Sequence, residues 1–366
     1  MVDEMMKVTI EERVLHFKQP AGTSRGVYTE RRSWFVTVHD GERRGVGECA
    51  PLPDLSCDAL PNYEVVLRGF CDELERTGQI PYEAMRDYPS MLFGLETAVA
   101  NSHLSPLTSH LSPLTSHLSP LTSHLSPLTS QLFDTPFARG EVGIPINGLV
   151  WMGSYEEMLQ RMEEKLAQGF RCVKLKVGAI DFDRELDLVK RIRQRFSHHE
   201  VELRLDANGG FSTDEALYRL ELLSQYNIHS IEQPIKARQW AAMAELCRDA
   251  PLPIALDEEL LGINDPDAKR QMLRIVKPAY IVLKPSLHGG MTGCREWIGI
   301  AREEGIGSWI TSALESNVGL NAIAQFCASV YGDHITMPQG LGTGQLFTDN
   351  IPMPLEIRGD QLWVTA

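Results

Sequence analysis

Charged residues follow short apolar runs at nearly equal intervals, and this periodicity constrains the fold more than any other feature of the chain. Asp206 ends "VELRLD", Glu232 ends "HSIE", Asp257 ends "PIALD" and Lys284 ends "YIVLK". Neighbouring members of this series are all about 26 residues apart, the length of one strand, one helix and two loops. The apolar runs are typical of buried parallel strands. We therefore expect the charges to gather at one rim of a parallel barrel.

The rest of the region from 140 to 344 agrees with a barrel. Eight strand-like runs alternate with helical patterns such as "SYEEMLQRMEEKLAQG" and "DRELDLVKRIRQRF". The predicted strands are "GIPINGLV", "RCVKLKVG", "VELRLDA", "HSIEQP", "LPIALDE", "AYIVLKP", "GSWITSAL" and "HITMPQGL". This order predicts an α/β chain with a TIM-like (β/α)₈ barrel, in which an irregular last unit is allowed.

A second unit is predicted at residues 1–101. The segment "RRSWFVTVHDGERRGVGECAPLP" alternates apolar and polar residues around an Asp-Gly pair, which favours an antiparallel hairpin. Helical patterns follow at "PNYEVVLRGFCDELERTG" and "YPSMLFGLETAVAN". The tail, residues 345–366, contains the hairpin pattern "PMPLEIRGDQLWVTA". We expect an α+β capping domain that this tail completes.

Between the two units the heptapeptide SHLSPLT occurs four times in succession, from Ser102 to Thr129. Its leucines alternate at spacings of three and four, as in a coiled-coil seam. However, each copy contains a proline, which costs about 3 kcal/mol in a helix interior. We therefore predict an exposed loop over residues 102–130 without a functional role.

Composition excludes several classes of partner. The 366 residues include 35 Lys and Arg against 49 Asp and Glu, a net charge of −14, so neither nucleic acid nor an anionic membrane is an expected partner. The seven cysteines form no CxxC pair, which favours reduced thiols in a cytoplasmic protein. No run has the length of a membrane span. A homo-oligomer is compatible with the sequence but is not predicted by it.

Two lysines upstream of the acidic series suggest acid–base chemistry. Lys174 and Lys176 are two residues apart on a predicted strand, so both side chains point to the same face, here the barrel interior. Two ammonium groups held close together disfavour each other's charge, which lowers a lysine pKa towards that of a general base. Lys176 lies nearer the strand end and is the better-placed base.

Asp206, Glu232 and Asp257 offer only oxygen ligands, a set that favours Mg²⁺ first and Mn²⁺ second. A metal that chelates a carboxylate stabilises the charge formed when the adjacent carbon loses a proton. The pattern thus predicts proton abstraction α to the carboxylate of a small-molecule substrate. Lys284, two strands beyond Glu232, would approach from the opposite side.

These motifs resemble a known family. Lys-x-Lys, "LDANGGF", "IEQP", "LDEE" and "LKPS" are similar to the muconate-lactonising-enzyme subgroup of the enolase superfamily, whose chemistry combines acid–base residues with magnesium. "GVGECAPLPDLS" resembles the capping-domain signature of that subgroup, and "TSALESNVGL" its seventh-strand motif. Within the subgroup, "QGLGTGQLFTDNIPMPLEIRGDQLW" is most similar to the o-succinylbenzoate synthase family.

The resemblance implies roles for individual residues. Lys176 would be the base and Lys174 its modulator, while Lys284 would stabilise the intermediate from the opposite face by a cation–π contact. Ser312 would contact the succinyl carboxylate of the substrate, although a strand-end serine is also a common helix cap. The implied reaction is dehydration of 2-succinyl-6-hydroxy-2,4-cyclohexadiene-1-carboxylate in menaquinone biosynthesis. The loop "QPAGTSRGVY" would close over the substrate.

Two other functions remain open on the sequence. A racemase of N-succinyl amino acids, or another epimerase or cycloisomerase of the subgroup, would use Lys176 and Lys284 as two opposed bases. The Asp-x-Asp pair of the dipeptide epimerases has no counterpart in "MPQGLGTG". A barrel that binds metal without catalysis is the other alternative, and the intact lysines argue against it.

Overall fold

The computed structural model describes residues 6–23, 26–40, 43–104 and 131–365. Most of the SHLSPLT repeat therefore lies outside the described residues. Only its first three residues, Ser102 to Leu104, are described, and they form the end of a helix rather than a loop. The first proline of the repeat follows two residues later, and proline disfavours helical geometry in the residue before it.

The amino-terminal unit is a three-stranded antiparallel sheet covered by two helices. The strands pair in the order β1 (Lys7–Thr23), β2 (Gly26–Asp40) and β3 (Arg43–Cys49), followed by α1 (Tyr63–Thr77) and α2 (Pro89–Leu104). The predicted hairpin is confirmed, because β2 and β3 pair antiparallel up to the turn. The capping domain is thus present as expected.

One face of this sheet packs closely against α2. Val36 and Val38 of β2 join one apolar cluster with Leu67 of α1 and Leu95 of α2. The approach is closest at Gly47, where an added Cβ would lie 1.8 Å from a backbone oxygen of α2. A side chain at this position would push the helix off the sheet.

The second unit is a barrel of parallel strands. Seven strands pair in sequence order into one parallel sheet. They are β5 (Gly148–Val150), β6 (Cys172–Lys176), β7 (Glu202–Asp206), β8 (Ser230–Glu232), β9 (Ile254–Leu256), β10 (Tyr280–Leu283) and β11 (Gly307–Ile310). The helices are α3 (Tyr155–Ala167), α4 (Phe182–Arg195), α5 (Thr213–Ser224), α6 (Trp240–Asp249), α7 (Pro266–Val276), α8 (Gly290–Glu303) and α9 (Asn317–Tyr331). The predicted alternation of strands and helices is confirmed.

Side-chain caps set where several barrel helices begin. Ser154 forms a reciprocal capping box with Glu157 at the start of α3. Asp265 accepts a hydrogen bond from the Ala268 amide at the start of α7, where Pro266 occupies the first helical turn. Such caps satisfy amide groups that the helix itself leaves unpaired.

The eighth strand differs from the prediction. "HITMPQGL" forms no regular strand, and single bridges from Gln339 to Ile146 and from Gly340 to Thr311 close the barrel instead. Pro338 has no amide hydrogen to donate to a ladder, and the nearby glycines favour irregular backbone. The barrel unit also begins before residue 140, since Leu132 and Phe137 already belong to its core.

The tail returns to the capping domain through its first residues, whereas its hairpin does not. The hairpin of β12 (Leu355–Arg358) and β13 (Gln361–Val364) is confirmed, but β13 pairs with the short β4 (Ile144–Pro145) ahead of the barrel. Its pairing with the capping domain was therefore a wrong prediction, because Leu362 is buried in the barrel core. Earlier residues make the return: the Lys18 amide donates to Leu346 O at 2.8 Å.

Two buried carboxylates of the capping domain dock onto barrel helices. Glu48 accepts hydrogen bonds from the amides of Ser316 and Gly319 at 3.0 and 2.9 Å, at the start of α9. Glu96 accepts from the amides of Met291 and Thr292 at 2.5 and 3.0 Å, at the start of α8. Both carboxylates lie where helix amides and the helix dipole favour negative charge. The domains are therefore joined by polar contacts as well as by apolar packing.

All seven cysteines are free thiols. Within the described parts of the chain, no helix combines the length and apolarity needed to cross a membrane.

Shortening the repeat is expected to leave the fold intact. Deleting Ser102 to Thr122 places an identical Ser-His-Leu sequence after Asn101, so the end of α2 keeps its residues. Loop closure entropy changes slowly with loop length, and we expect the free energy of unfolding to change by no more than about 1 to 2 kcal/mol. Differential scanning calorimetry of the parent and the shortened chain measures this. A large loss of stability would mean that the repeat packs as structure.

The stability of the domain interface should depend on pH through Glu96. Burial raises the pKa of Glu96 from 4.5 to about 7, against the hydrogen bonds from Thr292 and Met291 that lower it. Because the folded state binds this proton more tightly, wild type should lose stability relative to Glu96→Gln as the pH rises from about 5 to about 8, by on the order of 3 kcal/mol. Urea unfolding at both pH values measures the difference. Glu245→Gln, on an exposed surface, is the matched control, and an equal response of the two variants would contradict the assignment.

Candidate active site

The strand ends bring the predicted charged residues together. Lys176 pairs in register with Asp206, and Asp206 with Glu232, so the three lie at one level of the barrel. Asp257 and Lys284 directly follow the next two strands. The carboxylates are at most 2% exposed. The prediction that these side chains share one rim is confirmed in geometry.

The ammonium groups lie between the carboxylates. Lys174 Nζ is 3.0 Å from Asp206 Oδ2 and 2.5 Å from Glu232 Oε2. Lys176 Nζ is 2.9 Å from the same Asp206 oxygen. Lys284 Nζ donates to both oxygens of Asp257 at 2.6 and 2.7 Å. Asp206, Glu232 and Asp257 thus form a carboxylate row. Lys174 and Lys176 lie at one end of this row, and Lys284 lies at the other end.

The electrostatic balance at Lys174 differs from the sequence expectation. Burial lowers the pKa of Lys174, but the charges of Asp206 and Glu232 outweigh it and the pKa is raised overall. Burial lowers the pKa of Lys284 as well, and Asp257 more than compensates. The expected lowering by neighbouring ammonium groups is thus not found at Lys174, because the carboxylates lie closer.

The site holds one more acidic group than ammonium groups. Burial opposes ionisation of Asp206, but Lys174 and Lys176 outweigh it and hold its pKa well below its usual range. At Glu232 burial dominates and raises the pKa to about 7, although Lys174 opposes the change. Glu258, beside Asp257, is also buried and also has a raised pKa, first through burial and then through Asp257. Four acidic groups thus face three ammonium groups.

This donor set fits a hard divalent cation. Glu232 Oε1 and Glu258 Oε2 are buried without a hydrogen-bond partner, so each leaves an oxygen available for a cation. All the acidic groups offer oxygen, the ligand atom that Mg²⁺ prefers. Within the described residues no three acidic, imidazole or thiol side chains converge closely enough to hold a metal as they stand. Binding therefore requires the carboxylate groups to move closer together.

Two residues that support the lysines were missed by the sequence analysis. Asn208 accepts a hydrogen bond from Lys176 Nζ at 2.7 Å and donates to Glu258 at 2.8 Å. Its backbone is left-handed, with φ of 44°, and the Asn-Gly-Gly sequence was the available signal for such a turn. His288 Nδ1 accepts from the Lys284 amide at 2.9 Å. Burial lowers the pKa of His288 to about 3, so the ring is neutral.

A single cavity of about 650 Å³ joins the charged rim to the capping domain. Lys176, Asp206, Asp257, Lys284 and Ser312 line one part of it. Ser312 is buried, and its hydroxyl lies 2.6 Å from Thr343 Oγ1. Ser312 therefore lines the same cavity as the charged rim.

The other part of the cavity is apolar and is shared between the capping domain and the barrel. Phe17 and Leu52 of the capping domain line it together with Ala313 and Leu314 of the barrel, and all four belong to one buried apolar cluster over the rim.

The expected closing loop is more regular than predicted. Gly22 pairs with Val27 in the β1–β2 hairpin, and Thr23 pairs with Gly26. Gln19, Pro20 and Ala21 line the cavity. Gly22 and Gly26 of the expected loop therefore lie in strands, because the hairpin continues to this end. Residues 24 and 25 are outside the described residues.

Comparison with known proteins gives consistent matches. Residues 157–365 match the family described as "Enolase C-terminal domain-like", and residues 22–102 match "MenC, N-terminal domain". An o-succinylbenzoate synthase of Desulfotalea psychrophila is 45% identical over 98% of this chain and 99% of its own length. The crystal structure of MenC from that organism has a TM-score of 0.77 and 39% identity, covering 99% of this chain and 100% of the other.

A more distant structure shares the fold alone. A dipeptide epimerase from Enterococcus faecalis, complexed with Mg and the dipeptide L-Leu-L-Tyr, has a TM-score of 0.76 at 18% identity and covers 99% of this chain and 97% of its own.

A divalent cation should stabilise the folded chain through the carboxylate row. A ligand that binds only the folded state adds about 2.7 kcal/mol at one hundred times its dissociation constant. We expect Mg²⁺ to raise the melting temperature of the wild type and to have a much smaller effect on Glu232→Gln. Differential scanning fluorimetry across a Mg²⁺ titration measures this. Glu221→Gln on the exposed face of α5 should respond like the wild type, and an equal response of Glu232→Gln would rule the site out.

Proposed function

The chain belongs to the enolase superfamily, within its o-succinylbenzoate synthase family, and we propose that it dehydrates 2-succinyl-6-hydroxy-2,4-cyclohexadiene-1-carboxylate to o-succinylbenzoate in menaquinone biosynthesis. It is then a carbon–oxygen lyase that releases one water from each substrate. The proposal rests on the positions of two lysines. Lys176 lies at one end of the carboxylate row and Lys284 at the other, and an apolar cluster covers the row. Full-length similarity to a synthase of that name supports the choice of substrate.

Lys176 is the base in this proposal. Its amine takes the proton from the carbon α to the substrate carboxylate and then gives that proton to the departing hydroxyl on the same face. The C–H and C–O bonds break, a C=C bond forms in the ring, and the proton and hydroxide leave together as water. The hydrogen bond to Asn208 fixes the direction of the lysine side chain. General acid–base transfer of this kind contributes about 10²- to 10⁴-fold to a rate.

Lys284 acts from the opposite side as a fixed cation. The His288 contact to its backbone and the Asp257 contact to its amine hold it at the rim. A positive charge there stabilises the electron-rich ring that forms after proton removal. Lys174 modulates the site through its contacts with Asp206 and Glu232.

Asp206, Glu232 and Asp257 are the proposed ligands of Mg²⁺, with Mn²⁺ as the second choice, and the unpartnered Glu232 oxygen supports this set. When bound, the ion would anchor the substrate carboxylate and stabilise the negative charge that develops on it. Ser312 lies within the same cavity and is proposed to contact the succinyl carboxylate. The seven free thiols support a cytoplasmic location.

The alternative function is racemisation of N-succinyl amino acids. The opposed positions of Lys176 and Lys284 suit two bases as well as one base and one cation. A racemase exchanges the α proton with solvent on both faces of the α carbon of its substrate. The synthase reaction instead yields an aromatic ring, which absorbs differently from the cyclohexadiene.

The deciding experiment supplies the cyclohexadiene substrate with Mg²⁺ and follows formation of the aromatic product by ultraviolet absorbance. A parallel incubation of N-succinyl amino acids in D₂O, followed by NMR, measures α-proton exchange. Aromatisation at typical enzymatic rates is expected. Exchange of the α proton without formation of the aromatic product would show that the chain is a racemase and not a synthase.

Removing either lysine should abolish dehydration. We expect Lys176→Ala to lose at least about 10³-fold in turnover, together with any α-proton exchange, because the base is gone. Lys284→Ala should lose a similar factor through the missing cation. The matched control is Lys190→Ala on the exposed face of α4, which should keep full activity. Near-normal turnover by Lys176→Ala would show that the base is another group.

A further inference from the structure

Arg31 joins the two domains next to the cavity. It lies on β2, is 2% exposed, and donates hydrogen bonds to four backbone carbonyls. In the capping domain these are Pro51 O and Ala50 O, the latter at 2.6 Å. In the barrel they are Ala313 O and Leu314 O, both at 3.3 Å. A single guanidinium thus ties one turn of each domain to the other.

Both turns form walls of the cavity. Leu52 follows the capping-domain turn, and Ala313 and Leu314 belong to the barrel turn after β11. These three side chains lie in the apolar cluster over the rim. The separation of the two turns therefore sets the width of the apolar part of the cavity.

The barrel turn needs external support. Leu314 has a φ of 63°, a left-handed conformation that is unfavourable for a residue with a branched side chain. Glu315 holds the turn from within by accepting the Ala313 amide at 2.6 Å, and it also accepts the Ser286 hydroxyl at 2.6 Å. Ser286 is two residues from Lys284. The support of this turn is thus continuous with the loop that carries the opposing lysine.

Arg31 does not itself line the cavity. Burial lowers its pKa, while the nearby carboxylates of Glu315 and Glu48 favour its charged form. A fixed, delocalised cation with five donors in a rigid fork suits several carbonyls at once, which the single ammonium of lysine cannot match.

We propose that Arg31 is a positioning residue that fixes the spacing between the Ala50–Leu52 turn and the Ala313–Leu314 turn, and thereby the binding of the substrate end that lies under the capping domain. The positioning role is inferred from the contacts of Arg31 alone. Only the identity of the ligand rests on the proposed function.

The test compares Arg31→Lys and Arg31→Ala with wild type. Both should raise KM by on the order of tenfold while kcat stays within about threefold, because the lost spacing weakens ground and transition states alike. Millimolar guanidinium should restore the KM of Arg31→Ala by filling the space, without affecting the wild type or Arg31→Lys. Rescue of this kind is not expected for a residue that contributes to stability alone.

Arg193 provides the matched control. It also donates to three backbone carbonyls, of Val201, Tyr226 and Asn227, but these precede β7 and β8 at the other end of the barrel. Arg193→Ala should lower the melting temperature and leave KM unchanged. If it raises KM as much as Arg31→Ala does, the effect reports general stability and the proposal is wrong.

Hydrogen exchange separates this proposal from the proposed function. Without any ligand, the peptides covering 50–55 and 310–316 should exchange faster in Arg31→Ala and recover with guanidinium. If exchange in Arg31→Ala recovers with guanidinium while the wild-type chain does not aromatise the cyclohexadiene, the positioning role is supported and the proposed substrate is rejected. Unchanged exchange together with unchanged KM would overturn the positioning role, even if the wild type is a fully active synthase.

Discussion

The parallel register of β6 to β10 places charged side chains inside a closed barrel, and most other features of the molecule compensate for that. Removing a charge from water costs several kcal/mol unless a partner is in place. Lys174, Lys176 and Lys284 supply partners to Asp206, Glu232 and Asp257, yet one oxygen of Glu232 remains without a hydrogen bond. That oxygen is available to a divalent cation, and a bound cation would in turn attract an anionic substrate.

The capping domain is the second consequence of that burial. Charges at an open rim would be screened by water, so their strength in catalysis depends on a lid that excludes it. Glu48 and Glu96 dock the lid onto the starts of two consecutive barrel helices, and Arg31 connects it to the turn between them. These polar contacts have defined directions. The lid is therefore held in one orientation, whereas an apolar interface alone would allow sliding.

The sequence predicted the features that depend on local periodicity. Strand-end charges at regular intervals identified the rim, because a parallel barrel places every strand end on the same side. The last strand was mispredicted, since Pro338 and Gly340 interrupt the ladder, and two single bridges replace it. The tail was assigned to the wrong sheet for a related reason: a hairpin pattern specifies its own pairing but not its neighbour. Asn208 and Arg31 were missed because their partners are distant in sequence and, for Arg31, are backbone carbonyls that no side-chain pattern indicates. His288 was missed because its partner is a backbone amide, that of Lys284 four residues earlier.

The position of the repeat explains how the fold accommodates it. On its amino-terminal side, Asn101 Nδ2 donates to Val46 O of β3 at 2.8 Å. On its carboxyl-terminal side, the Leu132 amide donates to Gln325 of α9 at 2.6 Å. Neither anchor contributes a residue to the cavity wall. Both ends of the segment are hydrogen-bonded to packed elements. We therefore expect the positions of the charged residues at the rim not to depend on the length of chain between these ends. A segment with fixed ends adds mainly closure entropy, which grows slowly with length, so additional copies cost the fold little.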